Sequence, residues 1–381
     1  MKKLLIVQNI PTQFDVPLYN CIADRKPFDL TVIYTQTHGP QLNFDPEIGR
    51  SPGWDHIERE NYHRIDLSKV QATNTRKTVD VILDNRPDHV LISGYFPRLH
   101  RALVPVLQDR GVSVGLRSDN TLQHSNFNGL RGIIKKIMLP GWLRRYDSWH
   151  PVGTLAREYL VAVAGMIKPV FSFPYAVDNS WFAGLAACAR DSRLGTLAEL
   201  GFPEDAFVVL AILKWHPRED PLTLIEGFSL FAEEEPRARL VLVGDGPMRD
   251  EVRARIAGFK HLVHTPGYVN YSALPGLYAL ADIFVHPAPG EPWGVSVNEA
   301  LACGVPVIAS SGVGAGRDLI IEGSTGAVFP AGDGAALAAC LRKLVRQVSA
   351  EQRQACRDRV AGWGYDTTIE TFTQLLQSLE N

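Results

Sequence analysis

Residues 281–312 read ADIFVHPAPGEPWGVSVNEALACGVPVIASSG and contain the clearest strand–helix–strand pattern in the chain. The pattern predicts a buried strand ending at His286, a turn rich in Pro and Gly, a helix that begins near Gly294 and stops at Gly304, and a second buried strand. This order is typical of a parallel sheet, in which such a turn lies at the carboxyl end of a strand. Because the free N–H groups at a helix start favour anions, the sequence predicts an anion site in this turn.

The same alternation of short apolar runs and amphipathic segments continues along most of the chain. Strands are predicted at Leu4–Val7, Leu30–Tyr34, Val90–Ser93, Ser113–Arg117, Trp149–Val152, Val208–Ile212, Leu240–Val243, Leu262–His264, Ile283–His286 and Val305–Ala309. Helices are predicted at about 74–85, 98–108, 130–145, 154–164, 221–233, 247–257, 273–280, 294–302, 334–347 and 365–379. We therefore expect an α/β protein with two lobes, each built around a doubly wound parallel sheet.

The chain divides near residues 173–182, which precede a polar stretch rich in Ala and Arg up to Gly201. We expect an N-terminal lobe over residues 1–178, a second lobe over 179–363 and a C-terminal helix over 364–381 that returns to the first lobe. Residues 1–178 carry 22 Lys or Arg against 17 Asp or Glu, whereas residues 179–381 carry 17 against 24. This asymmetry suggests different ligands for the two lobes.

Composition excludes several classes of protein. With 45% apolar and 21% charged residues among 381, the chain is not a disordered tail, and a net charge of −2 predicts no nucleic-acid partner. The five cysteines are widely spaced and form no C-x-x-C pair, which argues against a disulfide framework or a zinc site and favours a cytoplasmic location. No run of 18 apolar residues occurs, so no membrane span is expected.

Common nucleotide and metal signatures are missing from the sequence. Gly-Lys never occurs, so a P-loop is excluded, and the first strand is followed by Gln8-Asn9-Ile10 rather than by a G-x-G-x-x-G turn. The absence of any Asp-x-Asp pair argues against a dedicated divalent metal site. We therefore expect no metal and no cofactor.

Two carboxylates lie around the turn of residues 287–294. Glu291 is in the loop and Glu299 is inside the following helix, so both can reach one ligand from different depths. Carboxylates suit sugar hydroxyls because each can accept two hydrogen bonds from a diol. Taken alone, the pair fits an alternative equally well, in which Glu299 is an ordinary surface residue of the helix and Glu291 is a solvated residue of the loop.

The segment from Glu291 to Glu299, followed by ALACGVPVIAS, resembles the E-x7-E signature of the retaining glycosyltransferases of family 4. Residues 241–249, 267–269 and 320–326 are similar to further segments of that family in the same order, and residues 174–178 with Phe182 resemble its crossing between lobes. The resemblance implies a GT-B fold, two Rossmann-like lobes with a deep cleft between them. It also implies a nucleoside-diphosphate sugar as donor substrate.

The resemblance also assigns roles to residues of the second lobe. It implies that Glu299 binds the ribose hydroxyls of the donor, that Glu291 binds the transferred sugar and that Lys214 binds the leaving phosphates. The expected donor-binding residues besides Glu299 are Gly267, Tyr268 and Val269 beside the base and the amides of Trp293, Gly294 and Val295 beside the diphosphate.

One position departs from the family pattern. The family usually supplies a second cation five residues after the first, where this chain has Glu219. A carboxylate there would repel the diphosphate, so we assign the second cation to Arg218 by a shift of one residue. The alternative is that Arg218 is a solvated loop residue.

The acceptor side is expected in the first lobe. Residues 11–19 resemble the N-terminal loop of one branch of the family, which makes Gln13 and Phe14 candidates. Asp119 follows the strand where related enzymes carry a His or acidic residue near the reacting carbon, and His124 lies close by. For Asp119 the alternative is a helix or turn cap.

Residues 130–145 interleave Lys and Arg with Ile, Met, Leu and Trp. Such a segment can lie in the headgroup region of an anionic membrane, and the alternative is a helix whose apolar stripe lies in the core. With the resemblance, it leads us to expect a peripheral enzyme on the inner face of the cell membrane.

We expect a retaining, metal-independent glycosyltransferase that transfers a sugar to a hydroxyl of a saccharide or lipid-linked saccharide, in cell-surface polysaccharide or glycolipid synthesis. Two alternatives remain from the sequence: a catalytically weak protein that binds a nucleotide-sugar, and a sugar-nucleotide epimerase of the same fold.

Overall fold

A computed structural model describes residues 1–36, 55–57, 60–125 and 127–379. The described residues form two compact units. The first contains those up to 176, apart from Asp55 and His56, together with 365–379; the second contains Asp55, His56 and 177–364. Each unit has its own parallel sheet and its own buried apolar core.

The first unit is built on a six-stranded parallel sheet with the order β3-β2-β1-β4-β5-β6. Its strands are β1 Lys3–Gln8, β2 Asp29–Tyr34, β3 His63–Asp66, β4 His89–Ser93, β5 Ser113–Ser118 and β6 Ser148–Pro151. The order reverses between β1 and β4, where Ile6 pairs with both Val32 and Leu91. Ligands of such sheets bind at the carboxyl edge beside this reversal.

The helices of the first unit are α1 Asp15–Arg25, α2 Lys69–Ala72, α3 Thr75–Asp84, α4 Arg98–Gln108, α5 Gly129–Leu143 and α6 Thr154–Ala164. The interpretation of residues 11–19 as a loop is wrong in its second half, because α1 begins at Asp15. Pro17 is tolerated there because the N–H groups of a first helical turn have no partner within the helix.

The C-terminal helix α16, Tyr365–Ser378, also belongs to the first unit. Its Phe372 ring packs against Phe173, with centroids 4.8 Å apart, and against Phe28 at 6.2 Å. These contacts bury one face of α16, including Leu375 and Leu376. The burial of such apolar side chains stabilises the helix on this unit.

The second unit repeats the architecture, with the strand order β12-β11-β10-β7-β8-β9. Its strands are β7 Phe207–Ile212, β8 Ala238–Val243, β9 Val263–Gly267, β10 Ile283–His286, β11 Val307–Ser310 and β12 Gly326–Phe329. The order reverses between β7 and β10, which pair through Val209 and Ile283. The loops that follow these two strands therefore lie beside the expected ligand position.

The helices of the second unit are α7 Asn179–Arg190, α8 Arg193–Glu199, α9 Pro221–Ala232, α10 Arg249–Ile256, α11 Leu274–Leu280, α12 Val295–Ala302, α13 Gly314–Leu319, α14 Gly334–Leu344 and α15 Ala350–Ala361. The polar stretch up to Gly201, for which the sequence predicted no helix, is folded into α7 and α8. The prediction failed because these helices bury few side chains, among them Phe182 and Leu197.

Candidate functional site

The loop between β10 and α12 is fixed by backbone hydrogen bonds to residues 312–315. The Glu291 N–H donates to the Gly312 carbonyl at 3.0 Å, and the Ala315 N–H donates to the Trp293 carbonyl at 2.8 Å. Gly294 has φ of 93°, and a Cβ there would lie 2.9 Å from Val313 Cγ1, so glycine is required. The loop therefore presents the N-terminus of α12 in one fixed position.

Glu299 lies on α12 and is buried, with 4% of the residue exposed. The Tyr278 hydroxyl on α11 donates to Glu299 Oε2 at 2.8 Å. Burial raises the pKa of the Glu299 carboxyl to about 7, although hydrogen bonds from Tyr278 and Tyr271 lower it. The alternative of an ordinary surface residue is therefore wrong, and Glu299 is an oriented carboxyl next to the α12 N-terminal turn.

Trp293 is buried, with 1% of the residue exposed, and its side chain has two partners. Its Nε1 donates to Asn298 Oδ1 at 2.9 Å, and its ring stacks on Trp363 with centroids 5.2 Å apart. Neither Asn298 nor Trp363 was expected from the sequence. For Asn298 its position next to Glu299 was the available signal, whereas no local pattern points to Trp363.

The loop between β7 and α9 carries Lys214 and Glu219. Glu219 Oε2 accepts a hydrogen bond from the Lys214 backbone N–H at 3.0 Å. Burial raises the pKa of the Glu219 carboxyl to about 7; the Lys214 N–H opposes this increase and the nearby Glu291 adds to it. The two loops therefore lie close enough for their carboxyls to interact, and Arg218 is exposed beside them.

Two glycines allow the Lys214 loop to pack against the turn after β8. A Cβ on Gly244 would lie 1.8 Å from the Leu213 carbonyl oxygen, and one on Gly246 would lie 2.5 Å from the Trp215 carbonyl oxygen. The Gly244 N–H also donates to the Gly267 carbonyl at 2.9 Å. The expected base-side residues thus lie at the end of β9, where Gly267 is the last residue of the strand and Tyr268 and Val269 follow it, and all three are partly exposed.

The candidates of the first unit lie at the carboxyl edge of its own sheet. Asp119 Oδ2 accepts a hydrogen bond from the Tyr175 hydroxyl at 3.0 Å, and the Phe14 and Tyr175 rings have centroids 6.2 Å apart. Gln13 is partly exposed beside Phe14. His124 Nδ1 forms a hydrogen bond of 2.6 Å with the Thr121 hydroxyl. Tyr175 therefore joins Phe14 and Asp119, a link that the sequence did not reveal.

A buried ion pair underlies this group. Arg117 Nη1 donates to Asp15 Oδ1 at 2.9 Å, and both side chains are at most 6% exposed. The Arg117 guanidinium carbon lies 3.6 Å from the Phe173 ring centroid and 4.8 Å from that of Tyr175. The pair fixes the first turn of α1 to the end of β5.

The helix α5 presents apolar side chains to solvent. Leu130 is 75% exposed and Ile137 is 73% exposed, and Ile133, Ile134 and Met138 are also exposed. The alternative in which the whole apolar stripe of this segment lies in the core is therefore wrong, although Leu139 and Leu143 are buried. Among the described residues, no helix is long and apolar enough to cross a membrane.

In the described part of the chain, no group of three or more His, Cys, Asp and Glu residues is arranged to hold a metal ion.

Comparisons with known proteins found a family model and relatives that are similar to parts of this chain. Residues 196–362 match the family model described as "Glycosyl transferases group 1". The chain is 29% identical over 214 residues to D-inositol 3-phosphate glycosyltransferase of Thermomonospora curvata, covering 52% of this chain and 49% of that protein. It is 28% identical over 258 residues to GDP-mannose-dependent monoacylated alpha-(1-6)-phosphatidylinositol monomannoside mannosyltransferase of Corynebacterium glutamicum, covering 63% and 66%. The chain thus spans about half the length of the first of these relatives.

Solved structures match the whole chain. Anabaena Alr3699/HepE in complex with UDP has a TM-score of 0.74 at 17% identity, with 99% of this chain and 100% of that chain covered. Sucrose-phosphate synthase from Thermosynechococcus elongatus has a TM-score of 0.70 at 19% identity, with 100% and 99% covered. These likenesses, with the two parallel sheets, confirm the predicted fold class: two Rossmann-like lobes of the GT-B type.

Proposed function

We propose that the protein is a nucleotide-sugar-dependent glycosyltransferase that retains the anomeric configuration of the transferred sugar. The observation that carries the proposal is the arrangement around the β7–β10 reversal. There the buried carboxyl of Glu299, the N-terminus of α12 and the Lys214 loop lie at one sheet edge. The region that matches the glycosyl transferase family includes all three.

In this proposal the second unit binds the donor. Glu299 accepts hydrogen bonds from the ribose hydroxyls, and residues 267–269 border the base. Glu291 contacts the sugar, while the amides of Trp293, Gly294 and Val295 face the diphosphate. A helix N-terminus suits this role because its free N–H groups and its dipole both favour negative charge.

The chemistry rests on the departure of the diphosphate. The acceptor oxygen forms a bond to the anomeric carbon as the bond between that carbon and the diphosphate oxygen breaks. The acceptor proton passes to an oxygen of the leaving diphosphate on the same face, which gives retention without a protein nucleophile. Lys214, Arg218 and the amides of α12 stabilise the charge that develops, the role a metal ion has in other enzymes.

The first unit is proposed to bind the acceptor, a saccharide or lipid-linked saccharide. Gln13, Phe14 and His124 line its carboxyl edge, and Asp119 is oriented there by the Tyr175 hydroxyl, at 3.0 Å. We place Asp119 next to the reacting hydroxyl. The name of the Corynebacterium relative specifies an acylated phosphatidylinositol mannoside, which is consistent with a lipid-linked acceptor here.

The α5 surface, defined as the exposed apolar residues 130, 133, 134, 137 and 138 with four cations on α5 or just after it, is proposed to contact an anionic membrane. Its apolar side chains are between 45% and 75% exposed. The cations are Lys135, Lys136, Arg144 and Arg145. Such a surface combines burial of apolar groups between headgroups with attraction to anionic lipid.

Vesicle binding tests this part of the proposal. The protein should co-sediment with vesicles of phosphatidylglycerol and phosphatidylcholine, and changing those four cations to Gln should release it. A control with the same loss of charge changes four exposed cations of the second unit to Gln: Arg253, Arg255, Lys260 and Arg346. Equal release by both sets, or no binding by the parent protein, would refute the α5 assignment.

The activity is tested in two steps. A thermal-shift screen of nucleoside diphosphates and their sugars identifies the nucleotide, because a tight ligand raises the unfolding temperature. The donor is then incubated with saccharide acceptors, and the anomeric configuration of the product is read by NMR. An inverted product would exclude retention. Affinity without turnover would indicate a binding protein, and an epimerised donor without acceptor would indicate an epimerase.

A further inference from the structure

The ring of Trp293 has no surface to offer a ligand, since the residue is 1% exposed. Its backbone, in contrast, lies in the loop proposed to bind the donor diphosphate. What fixes the ring therefore also fixes the amides that follow it. The ring is fixed at its edge by Asn298, through a hydrogen bond of 2.9 Å, and on its face by Trp363, at 5.2 Å between centroids and 29° between planes.

Trp363 approaches this loop from a distant part of the sequence. It lies after α15, which ends at Ala361, and just before Tyr365, where the chain enters α16 of the first unit. The segment around Trp363 is itself held in place. The Asn179 side-chain amide donates to the Val360 carbonyl at 3.0 Å, and a Cβ on Gly364 would lie 2.8 Å from the Asn179 Nδ2 atom.

We propose that Trp363 is a positioning residue for the diphosphate loop. Through its stack on Trp293 it sets the position of the Gly294 and Val295 amides and of the Glu291 side chain. It does not contact the donor itself. The proposal rests on the proposed function, because it assigns to Trp363 the support of the same diphosphate site.

The physical reason is the geometry that anion binding requires. Several N–H groups must point at one diphosphate, and a loop that samples several positions must be ordered when the ligand binds. Removal of the Trp363 ring removes this stacking contact from Trp293, while the Asn298 hydrogen bond remains. We therefore expect weaker binding of ligands that carry the diphosphate and little change for ligands that lack it.

The test compares a nucleoside diphosphate with its nucleoside. From UDP, GDP and ADP we choose the diphosphate that gives the parent protein the largest thermal shift, and we pair it with its own nucleoside. Calorimetry then measures both dissociation constants, with a competition format for the weaker ligand. Trp363→Ala should weaken the diphosphate about tenfold and the nucleoside less than twofold. Trp363→Phe should restore most of the affinity, because a phenyl ring can still stack.

A matched control separates positioning from general destabilisation. Phe259→Ala removes another half-buried aromatic ring of the second unit, one that packs on Phe228 at 6.2 Å between centroids. It should lower the unfolding temperature and leave both affinities unchanged.

The outcomes also separate this inference from the proposed function. If the parent protein binds none of the three diphosphates, the proposed function fails. A second outcome is that the parent protein binds one diphosphate while Trp363→Ala lowers the affinities for diphosphate and nucleoside equally, or changes neither affinity. In that case the inference is overturned while the proposed function stands.

Discussion

The side-chain carboxyl of Glu219 accepts a hydrogen bond from the backbone N–H of Lys214, at 3.0 Å. The residue that departs from the family pattern is thus bonded to the loop that carries the expected phosphate-binding cation. Burial raises the pKa of Glu219 to about 7, so this carboxyl is about half protonated near neutral pH. Any effect of this carboxyl on the proposed anionic donor should therefore depend on pH.

We expect Glu219→Gln to improve donor binding at high pH only. The amide oxygen can still accept the Lys214 N–H, while the negative charge is lost. At pH 6 the wild-type carboxyl is mostly protonated, because its pKa is about 7, so the two proteins should have similar donor KM values. At pH 8 the wild type carries the charge, and the variant should have a KM several-fold lower. Equal ratios at both pH values would show that the charge of Glu219 does not act on the donor.

We expect Glu299 to distinguish ribose from deoxyribose. If its carboxyl accepts hydrogen bonds from both ribose hydroxyls, the wild type should bind a 2′-deoxynucleoside diphosphate about 10- to 100-fold more weakly than the ribonucleotide at pH 8, where the carboxyl is mostly ionised because its pKa is about 7. A hydrogen bond to a charged group contributes about 1.5–3 kcal/mol. Glu299→Ala should bind both weakly and about equally. Calorimetry measures the four affinities.

Tyr278→Phe is the control for the Glu299 prediction. This change removes the hydroxyl that donates to Glu299 at 2.8 Å and keeps the ring. It should keep the preference for ribose but shift it to higher pH, because the hydrogen bond that it removes lowers the pKa of the Glu299 carboxyl. Discrimination that survives in Glu299→Ala would assign the ribose to another residue.

The central strands of the second sheet could be predicted because each is a run of buried apolar residues. Among the edge strands of the two sheets, β6 and β9 were also predicted, whereas β3 and β12 were not. Residues 63–66 read HRID and are mostly exposed or partly exposed, and β12 begins with Gly326, which is needed where a Cβ would lie 1.8 Å from the Val307 carbonyl oxygen. These two short segments show little of the hydrophobic pattern on which such predictions depend.

The site was predictable where it is local in sequence. The spacing of Glu291 and Glu299 follows from one loop and one helix, and the structure has Glu291 in the loop before α12 and Glu299 on α12. The partners of these residues come from elsewhere: Tyr278 from α11, Trp363 from the end of the second unit. A tertiary contact of this kind leaves no periodic signal in either segment.

We expect Lys214→Ala to lower kcat more than it weakens donor binding. The charge that Lys214 meets increases as the diphosphate leaves, so its interaction is stronger in the transition state than in the ground state. We expect a loss of about 100-fold in kcat, in line with removal of one stabilising group, and a change of a few-fold in donor KM.

Arg218→Ala tests whether the exposed neighbour supplies the second cation. A drop in kcat of similar size would support that role, and unchanged kinetics would leave Arg218 as a solvated loop residue. If Lys214→Ala raises KM and leaves kcat unchanged, Lys214 contributes binding alone.

We expect Arg117→Met to destabilise the first unit. The change leaves the Asp15 carboxylate, whose side chain is 5% exposed, without its partner at 2.9 Å. Breaking a buried ion pair in this way costs about 3–5 kcal/mol, because an uncompensated charge remains in the interior. The thermal unfolding temperature should fall by roughly 10 °C. The double variant Asp15→Asn/Arg117→Met removes both charges and should recover part of this loss. If it is no more stable than the single variant, the guanidinium stabilises the unit through its stacking on Phe173 rather than through Asp15.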